Sequence, residues 1–173
     1  MVESVKAKIR NIPDFPQDGI IFRDITTAIK DKDALKEIVD YLTDMLKDKK
    51  IDYFVGIESR GFIFGSALAY KLNAGLVLIR KPGKLPCETI KETYELEYGT
   101  DEIHMHADAI EEGANVVIVD DLLATGGTVG AAIKLLQKAK ANILATCFVI
   151  ELEGLNGRNK IPQDIDVISM VKY

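Results

Sequence analysis

NVVIVDDLLATGGT, residues 115–128, decides the fold, together with GAAIKLLQKAK, residues 130–140, which follows it. After Asn115, the four apolar residues 116–119 lead to the carboxylate of Asp120, the pattern of a strand buried on both faces. A short turn with two glycines follows, and then a helix. The same alternation continues in both directions. Upstream, YFVGI (53–57) precedes the helical GFIFGSALAYKL (61–72) and a second apolar run, GLVLI (75–79). Downstream, ILATCFVIEL (143–152) and DVISMV (166–171) read as strands. Apolar strands separated by helices imply crossover connections, so the expected class is α/β: an open, doubly wound, mostly parallel sheet covered on both faces. YELEY (94–98) alternates with period two and belongs in a side hairpin, outside that sheet.

Toward the beginning of the chain, residues 1–9 have weak helical character. Leu35, Ile38, Val39, Leu42, Met45 and Leu46 recur at helical spacing between Asp31 and Lys49, which predicts an amphipathic helix. Between them, RNIPDFPQDGIIFRDITT (10–27) contains two prolines but also Phe15, Ile20, Ile21 and Phe22. It reads as an ordered loop that covers something, since a solvated loop needs no such side chains. No repeat, low-complexity stretch or linker divides residues 1–173, so one domain is expected.

Composition narrows the function classes. Hydrophobic residues are 47% of the 173, and 22 Lys and Arg against 27 Asp and Glu leave a net charge of −5. An acidic folded chain offers no broad cationic surface for nucleic acid or anionic lipid, although a small cationic pocket for an anionic metabolite stays open. No apolar run approaches the ~18 residues of a membrane span, and the first residues lack a signal peptide's apolar core. Cys87 and Cys147 stand in no metal-binding spacing and read as reduced thiols of a cytoplasmic protein.

In an open parallel sheet, ligands sit beyond the carboxyl ends of the strands. There the chain places Thr125, Gly126, Gly127 and Thr128 at a helix N-terminus, where free N–H groups and hydroxyls form an anion cradle. Asp120 and Asp121 precede it as paired carboxylates suited to sugar hydroxyls or Mg²⁺. The plainer reading is a glycine turn with a capping threonine and solvated aspartates. No lysine follows the glycines, so this is not a Walker A loop, and G-x-G-x-x-G is absent.

The string resembles the phosphoribosyl pyrophosphate signature of the type I phosphoribosyltransferases. DGIIFRDIT (18–26), GIESRGFIFG (56–65), LIRKPGKLP (78–86), YELEYG (94–99), VIVDDLLATGGT (117–128) and ELEGLNGRNKI (151–161) occur in an order that resembles the adenine phosphoribosyltransferases in particular. Asp18, where proline is common, and Cys87, where glycine is frequent, are small departures. The resemblance implies purine salvage: Mg²⁺-dependent transfer of the phosphoribosyl group of 5-phosphoribosyl 1-pyrophosphate to adenine, giving AMP and pyrophosphate, by a homodimer. The turn from Ala124 to Thr128 then suits the 5′-phosphate. Asp120 and Asp121 suit the ribose hydroxyls and an oxocarbenium-like centre. Arg60 has the planar fork to grip pyrophosphate, with Glu58 and Ser59 beside it, their peptide cis by resemblance. Arg80, Lys81 and Lys84 form a basic loop, either a solvated charge run or a pyrophosphate contact reaching the neighbouring subunit. That loop begins a basic-loop-and-flap segment, residues 80–106. By resemblance, Glu97 and Tyr98 sit on the flap, Glu97 meeting the imidazole edge of adenine as a proton acceptor. Otherwise Glu95 and Glu97 are the polar face of a strand. Residues 10–27 become a hood over the base, with Phe22 stacking and the backbone near Ile21 and Arg23 reading its edge.

Other readings are a transferase for hypoxanthine, guanine or xanthine, which the hood sequence disfavours, and a non-catalytic sensor. A sensor needs a DNA-binding appendage or a lost carboxylate, and the chain shows neither. His104 and His106 lack a third metal ligand, Cys147 reads as core, and Tyr41, Tyr53 and Tyr70 as packing residues.

Overall fold

The apolar runs become five strands of one parallel sheet. The computed structural model describes residues 1–95 and 99–173. After helix α1 (Val2–Lys8), strands β1 (Arg10–Pro13) and β2 (Ile21–Asp24) pair antiparallel. The segment expected as a loop is therefore a small hairpin around a Phe15–Pro16 cis bond. Short helix α2 (Thr26–Lys30) leads to α3 (Lys32–Leu46), whose first turn is capped by the Asp31 carboxylate accepting from the N–H groups of Asp33 and Ala34, each at 3.1 Å. Its buried stripe is Ala34, Ile38, Leu42 and Leu46; Met45, assigned above to the apolar face, is 50% exposed.

Strand β3 (Tyr53–Ile57), helix α4 (Arg60–Leu72) and strand β4 (Gly75–Ile79) follow, then the hairpin strands β5 (Thr89–Glu95) and β6 (Thr100–His106). Strand β7 (Asn115–Leu123), helix α5 (Gly127–Lys138), strand β8 (Asn142–Glu151) and strand β9 (Asp166–Lys172) complete the chain. The sheet order is β4-β3-β7-β8-β9, parallel throughout, and β5–β6 stands apart as its own pair. Residues 96–98 of the expected side hairpin lie outside the described residues.

Alternate residues of the strands feed two apolar layers. Phe54, Val117, Val119 and Cys147 pack under α1, α3 and α4, while Val55, Val116, Ile118 and Phe148 pack under α5 and the β5–β6 hairpin. Coverage of both faces explains why the strands are continuously apolar. Two further expectations fail. Strand β7 does not end at Asp120 but runs to Leu123, so both aspartates lie on the strand. Tyr70, expected as packing, is 90% exposed on α4.

Candidate active site

From β3 the chain passes to β4 on one side, and from β7 to β8 on the other, so the crossovers diverge between β3 and β7. A crevice opens at that switch point, beyond the carboxyl ends of both strands. It is a cleft of about 260 Å³, lined by Glu58–Arg60 after β3, Arg80 and Lys81 after β4, Asp120–Thr128 from β7 into α5, and Tyr94 of the hairpin.

The turn forms one wall of the cleft. Gly126 takes φ 81°, a left-handed conformation that glycine adopts without strain, and this turns the backbone directly into α5. No side chain caps α5, so the N–H groups of its first turn keep their donor capacity at the positive end of the helix dipole.

Opposite it, α4 begins hard against β7. A Cβ on Gly61 would overlap the Val119 carbonyl oxygen and come within 3.2 Å of Asp120 Cα, so only glycine permits this approach. The result sets Arg60 beside the aspartates, its Nε donating to Asp121 Oδ2 at 2.5 Å. Asp121 is 6% exposed, whereas the Arg60 side chain stays about half open. Among the described residues the guanidinium's remaining N–H groups have no protein acceptor, which leaves the outer part of the fork available to an anion. Asp120 accepts from the Asp121 N–H at 2.9 Å. Desolvation, reinforced by the Asp121 charge, pushes its carboxyl well above the usual range, the expected behaviour of adjacent carboxylates.

On the third side, Glu58 accepts from the Lys81 N–H at 2.8 Å and from Arg80 Nε at 3.2 Å. These donors, the Lys81 N–H foremost, hold its carboxyl below the ordinary range. The Glu58–Ser59 peptide is cis. Lys81 Nζ pairs with Asp101 and donates to the Tyr94 hydroxyl at 3.1 Å, and that hydroxyl donates to Asp101 at 3.0 Å. This links the basic loop to the hairpin. Sequence reading missed Tyr94 and Asp101. The signal for Tyr94 was there: it alternates with exposed Glu95 and so faces inward.

The other expected site residues fall elsewhere. Lys84 is exposed and outside the cleft lining. Ile21, Phe22 and Arg23 lie on β2 and are also outside it. Phe22 packs edge-on to Phe15, and half of Ile21 is open. The Arg23 guanidinium stacks 3.9 Å from the Tyr173 ring centre and donates to Asn11 Oδ1 at 2.5 Å. Glu97 and Tyr98 are outside the described residues. His104 is held by Glu102 at 2.6 Å and Thr89 at 3.3 Å. Tyr53, read as packing, also donates to Glu111 at 2.6 Å. Cys147 is fully buried, which pushes its thiol pKa up, and Cys87 is an exposed free thiol. Among the described residues, no helix is long and apolar enough to cross a membrane.

The family model for the phosphoribosyl transferase domain matches residues 26–172. A relative named adenine phosphoribosyltransferase from Geotalea uraniireducens (strain Rf4) is 55% identical over 172 residues, covering 99% of this chain and 100% of the relative. The crystal structure of adenine phosphoribosyltransferase from Thermoanaerobacter pseudethanolicus superposes with a TM-score of 0.95 at 48% identity, covering 100% of both chains. The Saccharomyces cerevisiae adenine phosphoribosyltransferase, complexed with D-2,5-dideoxy-2,5-imino-altritol 1,6-bisphosphate and adenine, gives a TM-score of 0.91 at 41% identity, covering 98% of this chain and 97% of that one.

Proposed function

The chain belongs to the phosphoribosyl transferase family, and we infer from that membership and the cleft how it works. It is a purine salvage enzyme that transfers the phosphoribosyl group of 5-phosphoribosyl 1-pyrophosphate (PRPP) to adenine, giving AMP and pyrophosphate. The observation that carries the mechanism is one cleft with an uncapped helix N-terminus, two carboxylates and an arginine with open donors.

In the reaction a purine nitrogen bonds to the ribose C1 as the C1–O bond to pyrophosphate breaks. The N–H groups and hydroxyls of Thr125–Thr128 hold the 5′-phosphate, with Ala124 permitting close approach. Asp120 and Asp121 face the ribose hydroxyls, and the negative charge the pair carries favours the positive charge developing at C1. Arg60, Arg80 and Lys81, with backbone at Glu58 and Ser59, neutralise departing pyrophosphate. Lys84 reaches the partner subunit's cleft. Among the described residues no three His, Cys, Asp or Glu side chains converge as metal ligands. Asp120 and Asp121 would stand nearest to a Mg²⁺ brought in with the pyrophosphate, and the ion would supply charge neutralisation there. Glu97 takes the proton lost from the base, with Tyr98 as a further substrate contact. Residues 10–27 cover the base, which stacks on Phe22 and meets backbone near Ile21 and Arg23.

The enzyme works in the cytoplasm as a homodimer. Exposed Ile63 and Tyr70, one face of α4 at spacing seven, and Leu76 on the edge strand β4 support that assembly. Incubating the protein with PRPP, Mg²⁺ and each purine in turn tests the reading. AMP from adenine, abolished by EDTA, is the expected result; PRPP binding without turnover of any purine would make the protein a sensor.

A further inference from the structure

The phosphate turn is shaped from behind, on the side away from the cleft. There the connection from β8 to β9 crosses it as two short 3-10 turns, Glu153–Leu155 and Gly157–Lys160. A Cβ placed on Gly126 would overlap the Gly157 carbonyl oxygen. In return, a Cβ on Gly157 would overlap the Ala124 carbonyl oxygen and come within 2.9 Å of Leu123 Cδ1 and 3.1 Å of the Gly126 nitrogen. The two backbones touch with no side chain between them. Wherever Gly157 sits, Ala124–Gly126 must follow.

Gly157 is in turn held by its neighbour. Arg158 forks onto Glu151, with Nε to Oε1 at 2.5 Å and Nη2 to Oε2 at 2.7 Å. Ser169 of β9 completes the set, its hydroxyl donating to Glu151 and accepting from Arg158 Nη2 at 3.2 Å. Glu151 is 3% exposed at the end of β8, so the fork is fixed to two paired strands of the central sheet. The Leu152 N–H also donates to the Leu123 carbonyl at 2.9 Å, tying the start of this connection to the end of β7. Such a pair adds little net stability over apolar packing, because both charges lose water. What two parallel hydrogen bonds do provide is a fixed direction and distance, which apolar contact does not.

We propose that Glu151 and Arg158 are positioning residues for the phosphoribosyl pyrophosphate site, setting the Ala124–Gly126 backbone through Gly157. The proposal rests on the functional reading above, since it takes the turn as the 5′-phosphate cradle. Displacing that cradle weakens its charge-assisted hydrogen bonds to the 5′-phosphate, and losing one or two of them costs on the order of 10²-fold in affinity. The cost falls on PRPP and not on the purine, because the strut meets only the phosphate turn.

The test compares the unaltered protein with Gly157→Ala, Arg158→Lys and Arg158→Ala, the last with and without added guanidinium. Calorimetry gives the Kd for PRPP with Mg²⁺, steady-state kinetics the KM of each substrate, and thermal melting the fold. Gly157→Ala should raise the PRPP Kd and KM by roughly 10²-fold, with kcat at saturation and the adenine KM within about twofold of the unaltered values. Arg158→Lys should show the same selective loss, smaller in size, and guanidinium should restore PRPP binding to Arg158→Ala. Unchanged PRPP affinity in a folded Gly157→Ala would overturn the proposal. So would PRPP and adenine KM values that rise together as Tm falls, which marks a merely structural role. Should Gly157→Ala fail to fold, Arg158→Lys decides by the same ratio of KM values. If the unaltered protein bound no PRPP, the functional reading would fall and this proposal with it. Normal binding by the unaltered protein confines any failure to the strut.

Discussion

Replacing Asp24 with asparagine should loosen the β1–β2 hairpin in a manner that depends on pH. Asp24 ends β2, and its carboxylate accepts from the Thr26 hydroxyl at 2.6 Å, the Thr26 N–H at 2.9 Å and Arg10 Nε at 3.0 Å. These donors, led by the Thr26 hydroxyl and then Arg10, bring its pKa from an ordinary 3.8 down to about 2. At ~1.36 kcal/mol per pH unit the full linkage is about 2.5 kcal/mol. The Arg10 side chain is 58% exposed, so solvent screens part of this, and about 1–1.5 kcal/mol is the realistic contribution. Because the folded value is the lower one, the stabilisation is complete above the unfolded pKa and is lost as pH falls toward 2. Roughly half is gone by pH 3. Urea denaturation of the unaltered protein and Asp24→Asn from pH 3 to 7 should therefore show a gap of about 1 kcal/mol at pH 6–7 that halves by pH 3. The adenine KM should rise in the variant while that of PRPP stays put, because the hairpin is the proposed cover of the base. A gap that stays constant across the range, or no gap at pH 7, would refute the assignment of the pKa shift to these contacts.

Gly127→Val should abolish PRPP binding with the fold intact. Even a first Cβ there meets Tyr94 at 3.5 Å, so branching must displace Tyr94 or fill the cradle; unchanged affinity by calorimetry would sink the cradle. Glu97→Gln should lower kcat by about 10²–10⁴-fold with a smaller change in AMP affinity, and turnover at the unaltered rate would return Glu97 to a solvated strand face. Adenine should be used at least ~10²-fold better than hypoxanthine, guanine or xanthine by kcat/KM, because a carbonyl meeting the 6-amino donor would oppose a 6-oxo acceptor. A 6-oxopurine within tenfold of adenine would refute that backbone readout. Sedimentation at micromolar concentration should give twice the chain mass, and a single-chain mass would count against a shared site.

Much of the fold was legible because the central strands carry their own signal. YFVGI and GLVLI match β3 and β4 residue for residue; burial on both faces leaves β3 no room for polar positions, and β4, though at the sheet edge with Leu76 exposed, is apolar throughout. The β1–β2 hairpin was not legible as strands. Arg10–Pro13 and Ile21–Asp24 are four residues each, pair only with one another, and have no two-sided core to impose a pattern. Strand β7 was cut short at Asp120 because a charge normally ends an apolar run. Here Arg60, from 61 residues away, satisfies Asp121 and lets the ladder continue. Tyr70 failed for the opposite reason: an aromatic side chain's type does not say which side of a helix faces the core.

The same distinction separates what could and could not be read of the site. Thr125–Thr128, Asp120 and Arg60 announce themselves because polar or flexible residues interrupt apolar sequence where strands end, and the sheet order gathers those ends at one crevice. Their partners gave no comparable sign, since a pair exists only once distant elements meet. Lys81 with Asp101 and Gly126 against Gly157 are of this kind. Arg23 shows what the difference is worth. The sequence required that this cation, the only one in residues 18–26, be turned from a purine whose 6-position is a donor, but it offered no means of doing so. The fold supplies two acceptors for the guanidinium, the Tyr173 ring and Asn11, each distant in sequence. With the guanidinium drawn to Tyr173 and Asn11, the proposed cover of the base keeps Ile21, Phe22 and main chain to meet it, and a main-chain carbonyl can only accept. On the proposed reading, selectivity for the 6-amino group depends as much on where Arg23 is held as on any residue that touches the purine.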